Sequence, residues 1–202
     1  MFHIVKKTIE ANALTHGGVF HADETMATAI LNKVFNNLIL CRTFKVPEEV
    51  AAPVIVYDIG GGKYDHHQKG GNGCRENGVP YSSAGLIWRD FGRMIAEVSE
   101  SANPELVWSL IDRDLIQGID AIDNGKMPKT EYVCKPKTVS ASISEFNPTW
   151  DSQEDSDTAF MKAVEFATLI LGNALANAMS KAKAESIVEK AIDRTEGPVM
   201  VL

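Results

Sequence analysis

The sequence predicts an α/β fold: a mainly parallel sheet flanked by helices and followed by a helical C-terminal segment. Three observations carry that prediction. Short apolar runs at 13–15, 38–41 and 53–57 have strand length, and the first and last of them end near glycines. The stretches between and after them place apolar residues at helical spacing, so strands and helices alternate along the chain. Beyond about residue 150 the composition becomes alanine-rich, which favours helix. Residues 1–150 therefore read as one α/β domain and 151–202 as a helical segment, with the composition shift as the one candidate boundary.

The elements follow in order. Ala13-Leu14-Thr15 is a buried strand that runs into His16-Gly17-Gly18. From Ala22 to about Phe35, the residues Met26, Ala29, Ile30, Leu31, Val34 and Phe35 line one helical face. Asp23 and Glu24 fall in the first turn, where the helix dipole favours anions. Leu38 to Cys41 is a second strand. Pro53 to Tyr57 is a third, apolar on both faces as a strand covered by helices must be, and it ends at Asp58 before three glycines. Gly60 to Pro80, with seven glycines, is a loop long enough to suggest function. Ser82-Ser83 reads as the cap of a helix running to about Val98. Asn103-Pro104 opens another, running toward Asp120. Lys126 to Lys137 is loop. Asp155 to about Ile192 makes one or two helices, broken if anywhere near Gly172, and Trp88, Trp108 and Trp150 are expected in the core.

A chain of 202 residues, 45% hydrophobic and 23% charged, is too large to be a mini-protein. Its net charge of −7 speaks against a broad grip on duplex phosphate, yet divalent cations bound at a site would reverse the local field. Cys41, Cys74 and Cys134 are odd in number and share no Cys-x-x-Cys spacing, which argues against a disulfide framework and for a reducing compartment. No signal-peptide run opens the chain, and its apolar stretches read as too short to span a bilayer, so the expected location is cytoplasmic.

Four of the five histidines lie in two clusters, each with an aspartate within two residues of a histidine. The first, His16 to Glu24, sits where a strand ends and a helix begins; the second, Asp65-His66-His67, follows Asp58. Active sites of open α/β sheets collect at the carboxyl edge that both occupy. Imidazole with carboxylate suits manganese, zinc, iron or magnesium, and no cysteine lies near enough for a thiolate site. Singly, each residue is as well explained as a turn, a cap or a surface group. Together they exceed what one ion needs and point to a paired-metal centre with a bridging carboxylate. Asp120-Ala121-Ile122-Asp123-Asn124-Gly125 offers a further carboxylate from either aspartate, although alone it reads as a helix end. Gly60-Gly61-Gly62 lacks the ending of a P-loop and more naturally lets backbone pass close to metal or substrate.

These strings resemble the DHH phosphoesterase superfamily, and within it the Myg family, named for the melanocyte proliferating gene. The matching strings are Thr15 to Glu24, Tyr57-Asp58-Ile59-Gly60-Gly61 with Tyr64-Asp65-His66-His67-Gln68, Ser82 to Ile87, Asp120 to Gly125, and Asn147-Pro148-Thr149-Trp150. The resemblance implies two divalent ions, usually manganese, with magnesium, iron or zinc as alternatives. It implies His16 and His21 on one ion, Asp23 on the other, Asp58 bridging, and His66 with Asp120 completing the second. His67, facing the substrate phosphate or supporting the ligands, and Asp58 are the implied catalytic residues. Gly61, Ser82, Ser83, Asp123 and Asn124 are the candidate substrate contacts. Superfamily relatives usually carry aspartate where His21 stands, and a nitrogen ligand there favours softer ions such as zinc or iron. The implied activity is 3′-5′ exonuclease action on RNA or short oligonucleotides. Pyrophosphate or cyclic-dinucleotide hydrolysis is the alternative within the superfamily, and a metal-binding module without catalysis the alternative outside it. Expected partners are a phosphorylated small molecule or short single-stranded RNA, with no membrane and with a homodimer allowed. The family's second domain would lie past Pro198-Val199-Met200-Val201-Leu202, which resembles a strand just begun.

Overall fold

The computed structural model describes residues 2–50, 54–126, 134 and 136–194. Four strands, β1 (His3–Val5), β2 (Ala13–His16), β3 (Ile39–Thr43) and β4 (Ile55–Val56), form one parallel sheet in the order β1-β3-β2-β4. The helices are α1 (Ala22–Val34), α2 (Ser83–Val98), α3 (Pro104–Ile111), α4 (Gln117–Asp123), α5 (Val139–Ser144) and α6 (Ser156–Asp193), with a π turn at Asp112–Ile116 joining α3 to α4. The α/β class and the parallel sheet are those expected from the sequence.

Strand alternation splits the core in two. Ala13, Leu40 and Ile55 point to the face covered by helices, where they meet Ile30 and Leu31 of α1, Leu86 and Ile87 of α2, and Phe160 and Val164 of α6. Leu14, Cys41 and Val56 point to the other face, which is covered by Val46, Val50 and Val54 of the segment between β3 and β4. The apolar-on-both-faces pattern around Val56 is therefore real, but among the described residues a loop, not a helix, satisfies the second face. The expected strand start at Pro53 lies outside the described residues.

Several expectations change. β1 and α5 do not stand out in the sequence, because each is short: β1 gains its order by pairing with β3, and α5 by the Thr138 hydroxyl capping Ala141 N–H at 3.1 Å. The Asn103-Pro104 helix is capped as predicted, the Asn103 side chain accepting from Leu106 N–H at 3.1 Å, and then passes through the π turn. α6 is unbroken at Gly172, where no neighbouring atom crowds the backbone. By length and hydropathy, 1.4 in its most apolar window, α6 is apolar enough to cross a membrane, contrary to the expectation of stretches too short; Phe160, Ala163, Val164, Ala167 and Leu171 are buried against the rest of the fold. Trp88 is fully buried, and it and Trp108 exchange hydrogen bonds, each indole N–H donating to the other's carbonyl at 3.3 Å. Trp150, expected in the core, is 98% exposed. Most of the 126–137 loop and all of Pro198–Leu202 lie outside the described residues.

Topology places the site. The chain leaves β2 through α1 to reach β3 on one side, and returns to β4 on the other, so a crevice opens beyond the carboxyl ends of β2 and β4. Arg42, its side chain fully buried, ties this edge to α6: its guanidinium donates to Asp157 Oδ1 at 2.9 Å and to the Gly18 carbonyl at 2.6 Å, and lies 4.4 Å over the Phe160 ring.

Candidate metal centre

His16 is the last residue of β2, and Asp58 lies two residues past β4, where the register brings the two ends together. His16 Nε2 stands 3.2 Å from Asp58 Oδ2 and 3.0 Å from Glu24 Oε1. The other oxygen of Asp58 faces the second histidine: Oδ1 is 3.3 Å from His66 Nε2 and 3.6 Å from His67 Nδ1. Asp58 thus sits between both histidine clusters. Its φ of 56° is in the left-handed region, which costs about 1 kcal/mol for a residue with a Cβ, less for Asp than for most. The turn that follows holds it there, Asp58 N–H donating to the Tyr64 carbonyl at 3.0 Å.

The start of α1 supplies the next two carboxylates. Glu24 is fully buried and accepts the His21 N–H with both oxygens, at 2.9 and 3.0 Å, an N3 side chain reaching back to the helix entrance. Asp23 is 1% exposed; its Oδ2 lies 3.4 Å from His66 Nε2 and accepts the Ser83 N–H at 3.3 Å, while its Oδ1 has no hydrogen-bond partner. The His21 ring is exposed, its centroid 6.0 Å from that of His16. Asn147 fixes the residue before it, accepting from Phe20 N–H at 2.9 Å and donating to the Phe20 carbonyl at 2.8 Å.

His66 Nε2 is surrounded by Asp123 Oδ2 at 3.1 Å, Asp58 Oδ1 at 3.3 Å and Asp23 Oδ2 at 3.4 Å, yet is aligned for a hydrogen bond with none of them. His67 is different. Its ring is 62% exposed, and Asp65 Oδ1 accepts both its N–H at 3.1 Å and its Nδ1 at 2.8 Å. Asp65 Oδ2 accepts the Gly61 N–H at 2.7 Å, so Gly61, expected to touch substrate, orients the carboxylate that orients His67.

Asp120 does not join this cluster. It is fully buried, with Oδ1 accepting from Ser82 Oγ at 2.5 Å and Gly85 N–H at 2.9 Å, and Oδ2 accepting from Arg75 Nη1 at 2.7 Å. Asp123, three residues on, reaches His66 instead. Ser82 and Ser83 are neither simple caps nor open contacts: both are fully buried, and the Ser83 hydroxyl donates to Asp58 Oδ1 at 2.8 Å. Asn124 donates to the Asp120 carbonyl at 2.9 Å. Gly85 cannot carry a side chain, since a Cβ would lie 2.0 Å from Asp120 Oδ2. Arg75, which the sequence does not single out, pairs through two bonds with Asp112 (2.8 and 2.6 Å) as well as with Asp120, and packs over Tyr81 at 4.4 Å. It anchors the glycine-rich loop to the π turn and α4. Glu24 was also missed as a site residue; its signal was the acidic residue three positions after the helix entrance.

Burial alone would lower the His16 pKa, but Asp58 and Glu24 push it up to about 11. Asp123, Asp23 and Asp58 likewise overcome burial and push His66 up to about 12. Burial opposes ionisation of Asp58, yet the two histidines hold its carboxyl well below the usual range. Asp23 goes the other way: burial and the neighbouring Asp58 carboxylate raise it well above the usual value. So much buried carboxylate needs positive charge beside it. Four groupings of donor atoms are close enough to share an ion: His16-His21-Glu24, Asp58-His66-His67, His21-Asp23-Asp123 and Asp23-Glu24-Asp58. Their nitrogen and oxygen donors, together with the unpartnered Asp23 Oδ1 and His66 Nε2, fit divalent cations.

The family model MYG1_exonuc, described as uncharacterised protein family UPF0160, matches residues 12–202. The "MYG1 exonuclease" of Homo sapiens is 32% identical over 175 residues, 75% of this chain and 46% of that protein. That of Mus musculus is 30% identical over the same length, with the same coverage. The "MYG1 protein" of Dictyostelium discoideum is 27% identical over 215 residues, 93% of this chain and 65% of that protein. The chain spans about half the length of the mammalian relatives it matches. No solved structure matches it.

Proposed function

The chain belongs to the MYG1_exonuc family, UPF0160, and on that premise we propose that it is a metal-dependent phosphodiesterase of the DHH type, removing nucleotides from the 3′ end of RNA or short oligonucleotides. Relatives named exonucleases support hydrolysis as the class of reaction. The observation that carries the reading is His66 Nε2, buried among Asp23, Asp58 and Asp123 and aligned with none of them. A lone pair placed there serves a cation better than a hydrogen bond.

His16, His21 and Glu24 would hold one ion, His66, Asp23 and Asp123 the other, with Asp58 turned to both. Asp123 takes the role first expected of Asp120, because Arg75, Ser82 and Gly85 occupy the Asp120 oxygens. Divalent ions bound there, manganese in the first instance, would neutralise charge on a phosphoryl group and make water acidic enough to react near neutral pH. The protein's own part is to keep those donors fixed before substrate arrives. Ser83 holds Asp58, and the Asp58 backbone turns its two oxygens to opposite sides. Asp65 takes the Nδ1 side of His67, leaving Nε2 free to hand a proton to the departing oxygen. Asp120 and Arg75 are positioning residues that hold the entrance of α2.

The test is to purify the chain without added metal, measure manganese, iron and zinc per mole, and follow a short 5′-labelled RNA with manganese beside Asp58→Ala and His66→Ala. About two ions per chain and progressive shortening of the RNA, both lost in the variants, are expected. Hydrolysis of pyrophosphate or a cyclic dinucleotide but not RNA would reassign the substrate, and the absence of bound metal would end the proposal.

A further inference from the structure

We propose that Phe44 forms a nucleobase subsite, a stacking platform for the base of the nucleotide whose phosphate reaches the metal centre; this rests on the phosphodiesterase reading above. Phe44 is the first residue past β3 and is 84% exposed. Thr43 before it is in register with His16, and the Gly17 N–H donates to the Thr43 carbonyl at 2.9 Å, so the backbone of Phe44 leaves the strand beside the one that ends in His16. One strand spacing is about 4.8 Å, and Asp58 lies one strand further on. That interval is comparable to the reach from a base to the phosphate of its own nucleotide.

The ring is not loose. It lies against the Gly17-Gly18 backbone so closely that a Cβ at either glycine would be 3.3 Å from it. The glycines thus form a floor that a residue with a side chain would lift, and Gly18, with φ of 84°, also makes the turn that starts the approach to His21. A seated ring with a free face beside a charged centre matches what single-stranded nucleic acids require: π-surface for the base and electrostatics for the phosphate. Stacking accepts any base, so the subsite confers preference for nucleotides over simple phosphoesters without choosing a sequence. The exposed Lys45 follows directly.

The experiment compares two short RNAs that differ only in the terminal 3′ nucleotide, one bearing 2-aminopurine and one abasic. Both are offered to the wild-type chain, Phe44→Ala, Phe44→Trp and, as a control for losing exposed apolar surface elsewhere, Ile9→Ala. Steady-state cleavage in manganese is measured, together with 2-aminopurine fluorescence on binding with calcium in place of manganese. The wild type should favour the base-bearing RNA by about tenfold in KM, within the range of one stacked base, and should quench its fluorescence. Phe44→Ala should lose both the preference and the quench with kcat within about twofold, whereas Phe44→Trp and Ile9→Ala should keep both. Equal losses on both RNAs in Phe44→Ala would show a ring that merely props the glycine turn, and an unchanged preference and quench would show no subsite; either result overturns the proposal. If the wild type cleaves neither RNA, the phosphodiesterase reading fails, and the quench comparison still decides whether Phe44 stacks a base.

Discussion

Asp23 shows how the centre stores unfavourable charge. Its carboxyl is buried beside Asp58, and both burial and that neighbour raise its pKa, so at neutral pH the ionised form opposes folding. Asp23→Asn keeps the shape and removes the charge. It should raise the melting temperature without metal by about 2–4 °C for each kcal/mol relieved, and abolish the further rise on adding manganese; a thermal melt with and without the ion checks both. His16 and His66 give the opposite dependence. Their folded pKa values, about 11 and about 12, lie above the ordinary 6.5, so the stability they contribute without metal is complete below pH 6.5 and declines as pH rises toward 11. Metal needs the same imidazoles neutral, so stabilisation by manganese should grow with pH over that interval. Above pH 6.5 the melts should therefore decline with pH in chelator and stay level in manganese, and parallel slopes would remove these histidines from the ligand set. Much of this centre was legible in the chain: His16, His21, Asp23, Asp58, His66 and His67 do gather at one sheet edge. The choice between Asp120 and Asp123 was not, because it depends on Arg75, which lies more than forty residues away in sequence and looks like one more charge in a loop.

At the scale of elements, two glycines in helices make opposite demands. Gly85 lies at the entrance of α2 against Asp120, and Gly85→Ala would drive a methyl into that carboxylate, at a cost of about 1–3 kcal/mol or more. Gly172, in α6 with nothing near it, should tolerate alanine and gain about 0.5–1 kcal/mol. Urea unfolding of the two variants tests the pair. Arg75→Met leaves Asp112 and Asp120 without their cation and should destabilise by about 3–5 kcal/mol. Periodicity shows the long elements α1 and α2, because each carries enough turns for its apolar face to repeat, and alanine-rich composition shows α6. Periodicity could not find β1 or α5, whose order comes from pairing and capping, nor the π turn, which leaves no mark on apolar spacing.

For the whole molecule, α6 and the sheet share one apolar cluster: Phe160 and Val164 pack in the same core as Ala13 and Leu40. The segment that the composition sets apart after residue 150 is thus packed with the elements before it. Phe160→Ala should lower stability by about 3–5 kcal/mol. Helix content and Trp88 fluorescence should shift together in a single unfolding transition; separate transitions would mean that α6 melts alone. The face of the sheet bearing Leu14 and Val56 packs, among the described residues, with Ala11 and with Val46, Val50 and Val54 from the connection between β3 and β4. Alternation in the sequence reports that a strand is buried on both sides but cannot distinguish a helix cover from a loop cover.

The π turn at Asp112–Ile116, closed by Gln117 N–H on the Asp112 carbonyl, adds about one residue to what would otherwise be a continuous α-helix. Each helical residue advances the rotation by about 100°, so this turn sets the dial for everything after it. Adding a further residue between Asp112 and Ile116, beyond the one this turn already absorbs, would swing Asp120 away from Arg75 and Asp123 away from His66 in one movement. Point substitutions at the exposed Arg113 would leave that phase untouched. Along this stretch the gene should accept changes of letter at the exposed Arg113 and Asp114 and no gain in length.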